Sequence, residues 1–243
     1  MSNSVYLSWQ DPVSRLWFVV GRLSQVDEGY EFAYTEGATK SSNFILFPGM
    51  EALDKKYFSP NLFPLFANRL LSKNRKEYKE FIDWLELPVD QRSPLDILSR
   101  SGGARATDSF QVFRQVKVEE DSCFSTVFFL HGLSHVGRNA ADRVLTLEEG
   151  EELRLGLDIQ NPVDINSVMV LAKPTEVIGF LPRYLAKDIG TLLQYDPQSL
   201  RATVVARHDH APRHYRLLCR LEGKVPDALQ GKVFNSNEFS VIE

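Results

Sequence analysis

The sequence has few of the features that mark secreted and membrane proteins. Cysteine occurs only twice in 243 residues, as Cys123 and Cys219, so we expect two reduced thiols rather than a disulfide framework. No apolar run approaches the roughly 20 residues needed to span a bilayer. The segment after Met1 has no basic stretch followed by an apolar core. We therefore expect a cytoplasmic protein with no membrane partner.

An excess of positive charge is also missing. The chain has 28 Lys and Arg residues against 32 Asp and Glu residues, a formal net charge of -4. Proteins that coat nucleic acid usually carry a net basic face. Any nucleic-acid site on this chain must therefore be small and local. Hydrophobic residues at 43% and charged residues at 25% are typical of a globular protein with one large or two ordinary domains.

Catalytic and metal-binding motifs are not evident either. The sequence contains no Gly-x-Ser-x-Gly elbow and no glycine-rich phosphate loop. His208 and His210 with His214 could bind a metal, but they have no Cys companion and lie at a turn that contains proline, which favours a loop. The acidic run 148–152 indicates solvated surface. We expect no enzymatic activity, no cofactor and no bound metal.

The first half of the chain predicts a β-rich domain with a few helices. Alternating apolar residues change to helical spacing after about residue 60. The predicted strands are Val5–Trp9, Leu16–Gly21, Tyr30–Tyr34 and Phe110–Phe113, and the predicted helices are 60–71, a segment capped by Asn74 and ended by Pro88, and Pro94–Ser99. We assign residues 1–118 to this domain and residues 119–123, which begin with the acidic run Glu119–Asp121, to a linker.

The second half predicts strand, helix, three strands, helix and a closing hairpin. The predicted strands are 127–133, 153–159, 167–171, 177–181, 200–206 and 215–221, and the helices are 139–147 and one opening at Pro182. Residues 124–223 form this domain, and residues 224–243 form a tail with little pattern. The fold class expected for the whole chain is α+β.

The first half resembles the amino-terminal subdomain of HipA-type toxin kinases. The segments Val20–Leu23, Tyr30–Tyr34, Leu62–Leu70 and Leu95–Gly103 carry the resemblance, mostly through apolar spacing. No kinase core follows them. Because that subdomain contacts a kinase and an antitoxin, the resemblance implies a surface that docks a protein partner. A packing domain with no partner is the alternative.

The second half resembles the HIRAN domain, a small β-barrel module of DNA-repair helicases. Two blocks carry the resemblance, Asn161–Val170 and Val177–Ala186, in this order and spacing. The resemblance implies a small barrel of the OB or SH3 type with two helices. It also implies capture of the 3′ end of single-stranded DNA, by stacking bases on aromatic rings in a basic groove.

The resemblance transfers roles to particular positions. Its candidate DNA-binding residues are Phe128, Phe129, His131, Asn161, Asp164, Asn166, Phe180 and Arg183. The strand that begins at Phe128 matches the one placed against the terminal base, and the turn with Asp164 matches the one that meets the terminal sugar. Phe180 and Arg183 match the segment that faces the next base and phosphate. Val163 occupies a turn position where DNA-end-binding members carry a stacking aromatic.

Asp164 has two readings that can hold together. Its carboxylate would be repelled by phosphates, but it could accept a charge-assisted hydrogen bond from a free 3′-hydroxyl. Asp also commonly accepts hydrogen bonds from the backbone of its own turn. The hydroxyl reading predicts discrimination against a 3′-phosphate.

A local group of arginines lies near the end of the chain. Arg201, Arg207, Arg213, Arg216 and Arg220 fall in or beside the predicted hairpin. Arginines along adjacent strands can follow a phosphate backbone, so Arg207 and Arg213 are further DNA-binding candidates. A solvated hairpin with scattered ion pairs is the alternative.

These observations predict a protein of bacterial type that recognises single-stranded or unwound DNA ends through the barrel. Its first domain would dock a protein partner in a toxin–antitoxin, DNA-repair or phage-defence system. An adaptor or antitoxin-like subunit whose barrel does not bind DNA is the alternative. A subunit that supplies recognition to a separately encoded nuclease or helicase is a third reading.

Overall fold

Two antiparallel sheets, each with its own hydrophobic core, organise residues 3–105, 107–161 and 164–243, which the computed structural model describes. The chain divides into two units: the first combines the residues up to Gln115 with Asn235–Glu243, and the second is Val116–Phe234. The described residues also form five α-helices, so the expected α+β class is confirmed. None of the helices in these ranges is long and apolar enough to cross a membrane.

The first unit contains a five-stranded sheet in the order β4-β3-β2-β1-β5. Its elements are β1 Ser4–Gln10, β2 Trp17–Val26, β3 Gly29–Tyr34, β4 Tyr57–Ser59, α1 Pro64–Ala67, α2 Tyr78–Trp84, α3 Pro94–Ser101 and β5 Phe110–Phe113. Phe32 and Tyr34 alternate along β3 as predicted, and both are fully buried in the core. The Tyr34 hydroxyl donates to Met50 O at 2.9 Å, and burial raises the pKa of Tyr34 to about 12.

Two predicted helices of the first unit are shorter than their patterns indicated. Only Pro64–Ala67 is α-helical within 60–71. Asn74 does not cap α2, because successive turns from Ser72 to Tyr78 occupy the chain before the helix begins. In α3, by contrast, Ser93 and Asp96 cap each other's backbone N–H groups, and Pro94 occupies the first turn.

The second unit contains a six-stranded sheet in the order β6-β11-β10-β7-β8-β9. Its elements are β6 Cys123–Phe129, α4 Arg138–Val144, β7 Glu152–Leu157, β8 Val168–Ala172, β9 Glu176–Phe180, α5 Arg183–Tyr195, β10 Leu200–Arg207 and β11 Leu217–Lys224. A bridge between His131, just after β6, and Phe180, at the end of β9, joins the two edge strands. This bridge closes the sheet into a barrel.

Local patterns account for most of this unit. Pro182 precedes α5, whose apolar residues Leu185, Ile189, Leu192 and Leu193 are all buried in the core. The predicted hairpin of β10 and β11 is confirmed by their antiparallel pairing.

The boundaries of the two units differ from those predicted. The first crossing lies between Gln115 and Val116, before the acidic run, because Val116 is buried in the core of the second unit. Residues after 223 do not form a free tail. Val225, Val233 and Phe234 are buried in that same core, and the last residues join the first unit through a bridge of Val241 to Thr35.

Candidate functional site

The barrel closes at a junction of four residues, which we call the barrel seam: His131, Gly132, Gly179 and Phe180. The His131 N–H donates to Phe180 O at 3.0 Å, and the Phe180 N–H donates to His131 O at 2.9 Å. A Cβ on Gly132 would lie 2.6 Å from the Phe180 ring, and one on Gly179 would lie 2.6 Å from His131 O. Gly132 also has a φ of +74°. The two glycines therefore let the edges meet and let the partly exposed Phe180 ring lie over the backbone.

The turn between β7 and β8 is built from side chains that bind their own backbone. Asn161 Oδ1 accepts from the Asp164 N–H at 2.9 Å, and Asp164 Oδ1 accepts from the Asn166 N–H at 3.0 Å. Asn161 Nδ2 donates to Asp158 Oδ2 at 2.9 Å. The structure therefore shows that Asp164 accepts a hydrogen bond from the backbone of its own turn, as one of the two interpretations of this residue predicts. One carboxylate oxygen remains for another partner.

That second oxygen holds Arg183, the first residue of α5. Arg183 Nη1 lies 2.8 Å from Asp164 Oδ2, and the two side chains are 31% and 16% exposed. Partial burial makes this pair stronger than one on open surface. The pair fixes the guanidinium beside the seam, while its remaining N–H donors stay available to a ligand.

His131 is partly buried next to positive charge. Burial, followed by the charges of His214 and then Arg183, lowers the pKa of His131 to about 4. Burial also lowers the pKa of His214. The His131 imidazole is therefore neutral at pH 7, and one of its ring nitrogens can accept a hydrogen bond.

The two adjacent phenylalanines do not lie where the resemblance placed them. Phe128 is 1% exposed and points into the barrel core with Phe124 and Leu130. Phe129 points outward, yet it is only 5% exposed because Tyr215 packs edge-on against it at 5.1 Å. Neither ring is free to stack on a base, which leaves Phe180 as the accessible aromatic of the predicted set.

The hairpin arginines are divided between engaged and exposed positions. Arg207 donates to Leu147 O and to Asp209, both at 2.7 Å, so its guanidinium is already used within the fold. Arg213 is exposed in a turn of 3₁₀ helix directly before His214 and Tyr215. Asn166 is exposed in the turn, two residues before β8 begins.

Sequence reasoning did not place at the seam two residues that the fold brings there. His214 and Tyr215 come from the loop between β10 and β11, and their rings pack together at 4.1 Å. A proton on His214 would disfavour a proton on His131, a relation that local patterns do not reveal. Val163 lies outside the described residues. The residues that are described contain no group of His, Cys, Asp and Glu arranged to hold a metal ion.

The comparisons with known proteins define the class of the second unit. Residues 123–226 match the family model of the HIRAN domain, so this part of the chain is a HIRAN domain. The resemblance predicted from the two sequence blocks is confirmed for this half. The likeness of the first half to HipA subdomains stays a prediction.

Two solved structures are similar to part of the chain. One is the HIRAN domain of human HLTF, with 14% identity and a TM-score of 0.37, over 49% of this chain and 92% of that one. The other is a protein from Lactobacillus plantarum, with 19% identity and a TM-score of 0.33, over 42% of this chain and 96% of that one. The comparison with curated proteins found no match.

Proposed function

We propose that the HIRAN domain of this protein binds DNA at the barrel seam and recognises single-stranded or unwound ends. The observation that carries the proposal is the Arg183–Asp164 pair, held at 2.8 Å, with Arg183 only three residues after the partly exposed Phe180. Stacking on an aromatic ring contributes roughly 1–3 kcal/mol per base. The bases of a blunt duplex are stacked on one another, so few of them are free to stack on the Phe180 ring.

The charges at the site suit the end of a strand. Arg183 can bind a phosphate with the donors that Asp164 leaves free. Asp164 repels phosphate but can accept a hydrogen bond from a hydroxyl, because each carboxylate oxygen has two lone pairs. A terminal nucleotide with a free 3′-hydroxyl satisfies both groups, whereas a 3′-phosphate brings a second negative charge to Asp164.

The experiment measures anisotropy of labelled 12-nucleotide strands with a 3′-hydroxyl or a 3′-phosphate, and of a blunt duplex. We expect the hydroxyl-ended strand to bind most tightly and the duplex most weakly. Arg183→Ala should weaken all single strands alike. Lys79→Ala, at an exposed position of the first unit, is the control. Absence of binding at low salt for every DNA would favour the adaptor reading.

We assign the first unit to docking a protein partner and the whole chain to recognition rather than catalysis, in the cytoplasm. The HipA resemblance of residues 5–115 supports the docking role. Purified protein should neither hydrolyse ATP nor phosphorylate itself. Turnover that disappears in a point mutant would contradict this assignment. A kinase gene beside this one would favour the adaptor reading, and a helicase or nuclease gene would favour the recognition subunit.

A further inference from the structure

A cavity of about 520 Å³ lies on the second unit at the end of β6 where Cys123 begins the strand. Its charged lining residues are Lys117, Glu119, Arg201, Glu222 and Lys224. Three cations therefore face two carboxylates in a protein whose net charge is -4. Ser125 and Ser199 also line the cavity, but the Ser199 hydroxyl already donates to Asp196 O at 2.8 Å, so Ser125 is the serine that can offer a donor there.

This cavity and the barrel seam share one face of the barrel. Successive side chains on a strand point to opposite faces. Phe124, Phe128 and Leu130 belong to the core, so Ser125, Phe129 and His131 point outward. The eight residue steps from Cys123 to His131 correspond to about 26 Å.

The neighbouring strand, β11, places a further cation between the cavity and the barrel seam. In the pairing of β11 with β6, Lys224 lies opposite Cys123 beside the cavity, and Arg220 lies opposite Val127, halfway to the seam. Arg220 points outward because its neighbours Cys219 and Leu221 belong to the core. Neither Arg220 nor Lys224 forms an ion pair with another described residue.

The other two cations of the cavity lining, Arg201 and Lys117, form only exposed ion pairs. Arg201 lies 3.4 Å from Glu152, and both side chains are more than half exposed. Lys117 lies 2.7 Å from Glu119, and each is 57% exposed. Exposed pairs of this kind contribute little to stability and exchange readily with other anions.

We propose that this stripe of cations, Lys117, Arg201, Lys224 and Arg220, is a second contact site for the phosphate backbone of a strand whose end lies at the seam. The proposal rests on the proposed function and extends it. At about 3.4 Å per stacked nucleotide, the 26 Å between the two ends corresponds to about eight nucleotides. A length of this size falls within the roughly 4–16 nucleotides that OB-type barrels cover.

Strand length and salt dependence test the stripe directly. Arg220→Glu and Lys224→Glu should each weaken a 12-nucleotide strand several-fold and reduce its salt slope by about one. Binding of a trinucleotide at the seam should change little. Lys79→Glu makes the same charge change in the first unit and should leave both affinities unchanged. Glu222→Gln removes an opposing carboxylate and should tighten the 12-nucleotide complex, an effect that damage to the fold would not produce.

Cys123 supplies an independent readout, because its thiol is exposed at the cavity whereas Cys219 is buried. Because Cys219 is buried in the core, maleimide does not reach its thiol in the folded protein. The 12-nucleotide strand should protect Cys123 from labelling, and the trinucleotide should not. Cys123→Ser verifies that the labelled thiol is the intended one.

The outcomes separate this proposal from the proposed function. In one outcome, Arg183→Ala weakens DNA binding, the stripe variants do not, and Cys123 stays reactive. That result would overturn the proposal of a second contact site and leave the proposed function standing. If no DNA binds the wild-type protein, both proposals fail. Equal protection by an acidic peptide would also overturn the stripe, because it would mark a surface without preference for nucleic acid.

Discussion

The guanidinium of Arg183 and the carboxylate of Asp164 meet at 2.8 Å, which fastens the first turn of α5 to the turn between β7 and β8. Asp164 holds its own turn with one oxygen and Arg183 with the other. The two residues are 19 positions apart, yet each orients the other. A change at either residue should therefore alter both the shape of the turn and the direction of the positive charge.

Asp164→Ala should reduce the preference for a 3′-hydroxyl over a 3′-phosphate. The variant loses the acceptor for the hydroxyl and the repulsion of the phosphate together, so the two affinities should converge. Titrations of the two labelled strands measure the ratio. Asp27→Ala, which removes an exposed carboxylate from the turn between β2 and β3 of the first unit, should keep the wild-type ratio. A ratio near one in the wild-type protein would leave Asp164 with a structural role alone.

The second unit should lose stability as the pH falls from about 6.5 to about 4. The pKa of His131 in the folded protein is about 4 against an ordinary value of 6.5, so the unfolded state binds more protons over this window. The loss due to this residue is at most about 3 kcal/mol. Urea unfolding at pH 7, 5 and 4 measures the free energy of unfolding, which should fall less for His131→Gln than for the wild-type protein. His135→Gln, at an exposed position, should decline like the wild type, and an equal decline in all three proteins would contradict the prediction.

Gly132→Ala should destabilise the barrel more than Gly150→Ala. Both glycines have positive φ, +74° and +80°, so an alanine at either costs roughly 1–2 kcal/mol. At Gly132 the new Cβ would also collide with the Phe180 ring, whereas nothing lies within 4 Å at Gly150. Gly132→Ala should therefore also weaken single-strand binding by displacing the stacking ring. Equal melting temperatures and equal affinities for the two variants would show that the seam tolerates the collision.

A fragment of residues 116–234 should fold, and a fragment of residues 124–223 should not. The shorter fragment lacks Val116, Val225, Val233 and Phe234, all buried in the core. Phe234 packs on Phe124 with ring centroids 4.9 Å apart. Each lost side chain removes roughly 1.5–3 kcal/mol, a large part of the 5–15 kcal/mol that stabilises a domain. Circular dichroism melts of the two fragments decide the matter, and matching cooperative transitions would contradict the prediction.

Regular elements of the second unit were predictable because their signals are local. The apolar spacing of α5 and its opening proline lie within one segment, and the hairpin of β10 and β11 follows from two alternating runs. The helix predicted over 60–71 was overstated, since apolar spacing alone does not determine where helical hydrogen bonds stop.

The site was less predictable because it depends on partners distant in sequence. Alternation requires that Phe128 and Phe129 point to opposite sides of β6, but it does not say which ring enters the core. It also cannot reveal that Tyr215 covers the other ring. His131 pairs with Phe180 only because the barrel closes, and the spacing of apolar residues within either segment does not predict this pairing.

The two crossings of the chain between its units have a consequence for synthesis. The first unit includes Asn235–Glu243, and Val241 bridges to Thr35. Every residue of the HIRAN domain therefore leaves the ribosome before the first unit receives its last segment. The unit that begins the chain is therefore the last to be completed, because Val241 can pair with Thr35 only after the whole barrel has been synthesised.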